Sequence, residues 1–412
     1  MRRVVVTGLG LVTPLSNDVP DFWDRSLKSE SGVSEIDLID TSEFKIKIGG
    51  QIKDWDLGDR MDKREAKRLD RFAQFSIAAA QDAIKDSGVE FDQCNLDRCG
   101  VILGSGIGGL NTIEEQLHKL FYRGPGKVSP FTIPMLMLNA GGGNISIMHG
   151  LNGPNFSVAT ACASANNAIG EALRILQHGE ADLIVSGGAE AALCRMGLAA
   201  FGNMRALSPR NDDPTSASRP FDLDRDGFVL AEGAGILILE DLEHAQKRNA
   251  PIYCEIAGFG CTADAGHITQ PDENGTGAGK AMQLALEDAK IAPEAIDYIN
   301  AHGTSTPLGD KAETQAIKNV FKEHAHNVSI SSTKSVIGHS LGASGGIELI
   351  ASALAVKNDI VPPTANLDTP DPACDLDYTP KQPKERVINY ALSNSFGFGG
   401  HNACVIAKKF SG

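Results

Sequence analysis

Short apolar runs that end in glycine recur along this chain and constrain its fold more than any other feature. Val101-Ile-Leu-Gly-Ser-Gly106, Leu183-Ile-Val-Ser-Gly-Gly188 and Ile299-Asn-Ala-His-Gly303 each carry strand-forming residues into a turn. Runs with no polar alternation belong to strands buried on both faces, and helical segments between them make the chain an α/β protein. Helices are predicted over 76–87 with Gly88 as C-terminal cap, over 164–178 stopped at Gly179, over 279–289, and over 345–357 before Pro362. The first strand, Val4-Val5-Val6, is predicted to end at Thr7-Gly8.

The order of these elements repeats weakly. A helix, an acidic spacer and a strand with a glycine turn precede the small-residue helix after Cys162, and the same series precedes the one after His339. Two similar halves, 1–250 and 251–412, would set the starts of their central helices near a pseudo-two-fold axis and bring Cys162 and His339 together. The segment 111–150, rich in Met, Pro and Gly, lacks a counterpart in this reading and is expected to be an inserted lid or subunit-contact region.

No Pro/Ser-rich linker or charge block divides the 412 residues, so continuous packing is expected. A net charge of -14 argues against nucleic acid or an anionic membrane as main partner, since both demand dense positive charge. Met1-Arg2-Arg3 leads directly into a strand and no apolar run approaches a bilayer-spanning length, which predicts a cytoplasmic protein. The eight cysteines are scattered, without the paired spacing of a zinc site, and predict free thiols rather than a metal centre.

Three motifs carry chemistry. Val158-Ala-Thr-Ala-Cys162-Ala-Ser-Ala-Asn-Asn places a cysteine where a small-residue helix begins, and the helix amino end is expected to acidify that thiol. Asn300-Ala-His302-Gly-Thr304-Ser-Thr306 sets a histidine in the turn after a strand, with two hydroxyls able to hold a polar ligand arm. Ser332-Thr-Lys334 to His339-Ser-Leu-Gly adds a lysine and a second histidine at another helix entrance. Near the end, Asn394-Ser-Phe396-Gly-Phe398-Gly-Gly-His401 forms a glycine-rich turn whose backbone N–H groups suit an oxyanion hole.

Together these motifs resemble the β-ketoacyl-acyl-carrier-protein synthases among the thiolase-like condensing enzymes, in particular the type II enzymes of dissociated fatty-acid synthesis. The resemblance runs from Val5-Val-Thr-Gly-Leu-Gly through Arg219-Pro-Phe-Asp and Arg225-Asp-Gly-Phe-Val229 to the final glycine loop. It implies a thiolase-type five-layer αβαβα sandwich, a homodimer, and no cofactor or metal. It also implies decarboxylative condensation: an acyl group moves from carrier-protein phosphopantetheine to Cys162, and malonyl-carrier protein then extends it by two carbons. His302 and His339 match the residues that polarise the malonyl carbonyl, and Lys334 the one that supports them. The N–H groups of Cys162 and Phe398 match the oxyanion donors. Thr304 and Thr306 match the positions that hold the pantetheine arm, Ile107 matches the position that limits acyl length, and Phe396 and Phe398 the aromatic positions of the pocket.

The basic stretch Lys63-Arg64-Glu-Ala-Lys67-Arg68-Leu-Asp-Arg71 is expected to form one helix, with Lys63, Lys67 and Arg71 on one stripe and Arg64 and Arg68 beside it. By resemblance this region and Arg205 dock the acidic acyl carrier protein. Polyketide-type ketosynthases share the motifs. A thiolase would need a second cysteine such as Cys404 as base, but Cys404 lies in an apolar run that predicts a strand interior. A non-catalytic chain-length-factor subunit would lack the nucleophile.

Overall fold

The computed structural model describes all 412 residues. Its main sheet has ten strands: β1 Val4–Val12, β2 Cys99–Gly104, β3 Asn155–Val158, β4 Leu183–Glu190, β5 Gly233–Asp241, β6 Cys254–Ala263, β7 Tyr298–Asn300, β8 Ser329–Ser331, β9 Tyr390–Gly397 and β10 His401–Lys408. The helices that position the site are α1 Arg71–Ser87, α2 Leu110–Arg123, α3 Ala140–His149, α4 Ser164–Gln177, α5 Thr276–Ala289, α6 Pro307–Phe321 and α7 Ser344–Asn358.

The strand order β8-β7-β9-β10-β6-β1-β5-β4-β2-β3 consists of two equivalent groups of five. In the first, β3, β2 and β4 run parallel while β5 and β1 are antiparallel to their neighbours. In the second, β8, β7 and β9 repeat the parallel set, and β10 and β6 the antiparallel one. The groups meet edge to edge only over Val4–Val6 against Cys254–Ile256.

Helices α4 and α7 touch each other and pack against strands of both groups, so they form the middle layer. The largest buried cluster lies there and includes Ile169, Leu173, Leu237, Ile347, Ile350 and Val405. On the outer faces α1 and α3 cover the first group and α5 the second, with α6 against α5. The result is the five-layer αβαβα sandwich of the thiolase-like fold.

Why α1 and α5 lie so close to their sheets is written in paired glycines. A Cβ on Gly8 or Gly10 of β1 would come within 2.2 and 2.0 Å of the Ala83 and Ala79 carbonyl oxygens of α1. Gly258 and Gly260 of β6 stand in the same relation to Ala285 and Ala281 of α5, at 2.4 and 2.1 Å. These glycines therefore extend strands rather than end them. That corrects the expected end of β1 at Thr7-Gly8: the strand continues to Val12 through a register shift at Thr7.

Two further expectations change. Segment 111–150 is not wholly an insertion, because α3 joins β2 to β3 as α6 joins β7 to β8; only the part with α2 and the one-turn helix Thr132–Leu136 stands outside the repeat. The basic stretch is not one helix either. Asp62 caps a single turn, Lys63–Ala66, by accepting from the Arg64 and Glu65 N–H groups, and Asp70 caps α1 by accepting from that of Phe72. Two acidic caps split the stretch, and α1 starts at Arg71 rather than Ser76.

Candidate active site

Cys162 sits two residues ahead of α4, on a turn in which Ala161 adopts φ +49°. Ser164 clamps this turn, accepting from the Thr160 N–H at 2.9 Å and donating to the Ala161 carbonyl at 2.6 Å. The helix end does not acidify the thiol at rest. Burial pushes Cys162 up to about 12, and the opposing pull of Lys334 and of the nearby Phe398 N–H is smaller.

His339 Nε2 lies 3.1 Å from Cys162 Sγ, with Nδ1 3.0 Å from Ser344 Oγ. A hydroxyl serves either imidazole tautomer, so Ser344 holds the ring wherever its proton resides. The main chain of His339 is pinned between Val229 and Ala231, through bonds of 2.8 and 3.0 Å. His302 follows β7, and the Glu313 carboxylate of α6 fixes its turn by accepting from the His302 and Gly303 N–H groups at 2.8 and 2.7 Å.

Lys334 is buried, donates to the His302 carbonyl at 2.7 Å, pairs with Glu348 of α7 and places its ammonium 3.5 Å from His302 Nδ1. A cation facing Nδ1 makes that atom the acceptor and leaves the proton on Nε2. Burial and the Lys334 charge hold both imidazoles well below the ordinary histidine range, so both are neutral at pH 7. Their rings stand edge to face with centroids 5.4 Å apart.

A cavity of about 620 Å³ opens over these groups, and its wall includes Ile107, Thr304, Thr306, Phe396, Phe398 and Arg205. The two threonine hydroxyls lie 3.0 Å apart, and Thr306 also caps α6 by accepting from the Gly309 N–H. No protein group accepts the N–H of either Cys162 or Phe398 in the usual hydrogen-bond range. A Cβ on Gly397 would come within 3.0 Å of the Cys162 nitrogen, so the glycine loop lies directly against the cysteine turn. Residues 1–245 match the family model described as "Beta-ketoacyl synthase, N-terminal domain", and residues 253–368 match "Beta-ketoacyl synthase, C-terminal domain".

The chain belongs to the β-ketoacyl synthase family.

It is 50 % identical over 409 residues to the 3-oxoacyl-[acyl-carrier-protein] synthase 2 of Synechocystis sp., covering 99 % of this chain and 98 % of that one. The protein of the same name from Staphylococcus aureus strain COL is also 50 % identical, with 99 % of each chain covered. Among solved structures, a β-ketoacyl synthase from Burkholderia phymatum superposes with a TM-score of 0.93 at 36 % identity, over the full length of both chains. A type II polyketide ketosynthase, solved with its acyl-carrier protein and bound to a hexaketide, superposes with a TM-score of 0.92 at 35 % identity, again over all of both chains.

Within this family member the basic residues near the foreseen docking region differ in their partners. Lys63, Arg64, Lys67, Arg68 and Arg205 are exposed. Arg68, however, is paired with Glu65 at 3.4 Å and lies over the Phe131 ring. Arg71 turns inward, donating to Glu232 and to the Ile52 carbonyl, and leaves the proposed stripe. Cys404 is fully buried in β10 opposite Gly260 and Asn394, away from the cavity. Sequence reading passed over three buried carboxylates: Glu190 and Glu313, which hold turns around the reactive groups, and Glu348, which pairs with Lys334. Only Glu190 carried a signal in sequence, an acidic residue closing a run of small ones in Gly187-Gly-Ala-Glu190.

Proposed function

We propose that this chain is a 3-oxoacyl-acyl-carrier-protein synthase that extends fatty acyl chains by two carbons. The observation that carries this reading is His339 Nε2 at 3.1 Å from the buried sulfur of Cys162, with the glycine loop lying against the Cys162 main chain.

In the first half-reaction Cys162 Sγ attacks the acyl-pantetheine thioester, and the carbonyl oxygen rests on the N–H groups of Cys162 and Phe398. The thiol proton passes through His339 Nε2 to the departing pantetheine sulfur, so the transfer is proton-neutral and a high resting thiol pKa does not forbid it. In the second, malonyl thioester loses carbon dioxide while His302 and His339 donate to the developing enolate oxygen. The enolate carbon then attacks the Cys162 thioester, and one proton taken up from solvent restores the thiol. Thr304 and Thr306 hold the pantetheine arm, Ile107, Phe396 and Phe398 bound the acyl chain, and Lys334 keeps His302 in its donating tautomer.

The half 1–250 supplies the nucleophile, and the half 251–412 supplies both histidines, Lys334 and the glycine loop. A second copy of the chain suits the face that exposes Phe121, Ile133 and Ile147 beside the edge strand β3; light scattering at the dimer mass checks this. Eight unpaired thiols suit the reducing cytoplasm. The direct test is incubation of the protein with acyl- and malonyl-carrier protein. A 3-oxoacyl-carrier protein two carbons longer, with one carbon dioxide per turnover, supports the reading, and release of free acid alone rejects it.

Docking rests on local positive charge, because a chain of net charge -14 repels an acidic carrier protein at long range. With Arg71 turned inward and Arg68 stacked on Phe131, Arg64, Lys67 and Arg205 offer the open charges. Lys67→Glu combined with Arg64→Glu is expected to raise the Michaelis constant for acyl-carrier protein about tenfold at low salt, with the difference shrinking as salt screens it. Steady-state rates with acyl-carrier protein and with an acyl-pantetheine mimic measure it. Equal losses on both substrates would rule the docking role out.

A further inference from the structure

Glu190, the last residue of β4, is fully buried and has no cationic partner. Its carboxylate instead accepts five neutral donors. Oε1 accepts from Ser105 Oγ at 3.0 Å and from the N–H groups of Ile107 and Gly108 at 3.2 and 3.3 Å. Oε2 accepts from the N–H groups of Gly106 at 2.7 Å and Gly342 at 3.1 Å. Ser105 Oγ accepts in turn from Gly108 N–H at 3.2 Å, closing the turn on itself.

Four of the five neighbours are N–H groups that can only donate, so a carboxyl proton would have only Ser105 Oγ to turn to, an oxygen that already accepts from Gly108 N–H. Successive backbone N–H groups curled about one anion form a nest that favours the ionised form, against a burial that pushes the carboxyl up. The glycines are required by this anion. A Cβ on Gly106 or Gly342 would stand 2.9 or 2.8 Å from Oε2.

The two segments held by this one carboxylate are both walls of the reaction cavity. Gly106 and Ile107 line it from the first half, and Leu341, at the left-handed φ of +48°, lines it from the second. Leu341 also stands between His339 and the start of α7. An aliphatic side chain in that backbone conformation is strained and persists only where its surroundings hold it.

We propose that Glu190 is a positioning residue for acyl-chain selectivity, whose carboxylate ties the Ile107 turn to the Leu341 turn and so sets the width of the acyl pocket. It touches no substrate; it acts through two residues that do. The inference rests on the synthase reading above. Failure of that reading would appear as a wild-type protein that elongates no acyl donor, whereas failure of this one leaves an active wild type.

The test is elongation kinetics over a series of acyl-carrier donors of increasing chain length, for wild type and Glu190→Gln. An amide keeps the shape but replaces one oxygen with NH₂, which faces either the Gly106/Gly342 pair or the Ile107/Gly108 pair of donors, so one turn is released. A pocket discriminates a methylene by about tenfold or more, and the ratio of KM values between long and short donors is expected to move toward unity by about tenfold. Ser105→Ala removes a single donor and the closing bond to Gly108 while leaving the anion in place. It serves if Glu190→Gln does not fold, and should move the ratio in the same direction by about threefold. A loss of the same factor at every chain length, in whichever variant folds, would mark Glu190 as a scaffold residue only. An unchanged ratio would overturn the proposal as well.

Discussion

Cys162→Ala is expected to abolish acyl loading and to lower condensation by about four orders of magnitude or more, the usual scale for removing a covalent nucleophile. The fold should survive. Cys162 is already on a turn of small residues, Ala161 and Ala163, and the Ser164 clamp on that turn uses only main-chain partners and its own hydroxyl. What disappears is the one sulfur that faces His339 in the cavity. None of the other thiols can take over. Cys254 and Cys404 are strand interior, and none of the seven other cysteines lines the cavity where His302 and His339 stand. Intact-mass spectrometry after incubation with acyl-carrier protein measures loading, and thermal unfolding checks the fold. An acylated Cys162→Ala protein would remove Cys162 from the reaction.

The fold was legible because most of its strands are buried on both faces and carry glycine within or just beyond them, a pattern that leaves few architectures open. The pairing of halves was legible only in outline. Gly8-Leu-Gly10 and Gly258-Phe-Gly260 mark the repeat more sharply than any helix does, yet a glycine inside a strand reads as a stop until the helix that crosses it is known. The same limit hid the end of the basic stretch: Asp62 and Asp70 are short-range neutralising charges in sequence, and become caps only when two helices start beside them. At the site, residue types and order pointed to Cys162, His302, Lys334 and His339. Their electrostatics did not follow, because the dipole of a helix is a local effect and burial, which here outweighs it, depends on what the other half brings across the cleft. Glu190 is the extreme case: its five partners come from two distant segments, 105–108 and Gly342, and nothing in Gly-Gly-Ala-Glu announces them.

The second large effect concerns the histidines. His302→Ala and His339→Ala are each expected to slow malonyl decarboxylation about 100- to 1000-fold, the scale of losing one donor to a developing oxyanion. Acylation of Cys162 should remain measurable in both, more nearly intact in His302→Ala, because His339 alone lies at the sulfur. His302→Gln should recover part of the loss by returning an N–H to the place of Nε2. The pH dependence follows from the direction of both shifts. Burial and Lys334 hold the two imidazoles far below their ordinary value of 6.5, so they stay neutral donors as pH falls from 8 to 6, and decarboxylation should show no histidine titration in that window. Stability behaves differently. The unfolded chain takes up protons on these histidines near pH 6.5 and the folded chain does not, so each withdraws stability as pH drops below that value and none above it. Carbon dioxide release from malonyl-carrier protein, measured beside denaturant unfolding at pH 5.5 and 7.5, separates the two effects. Normal decarboxylation by both alanine variants would refute the assigned roles, and a decarboxylation rate that titrates between pH 6 and 8 in wild type but not in His302→Gln would show that His302 is not held neutral.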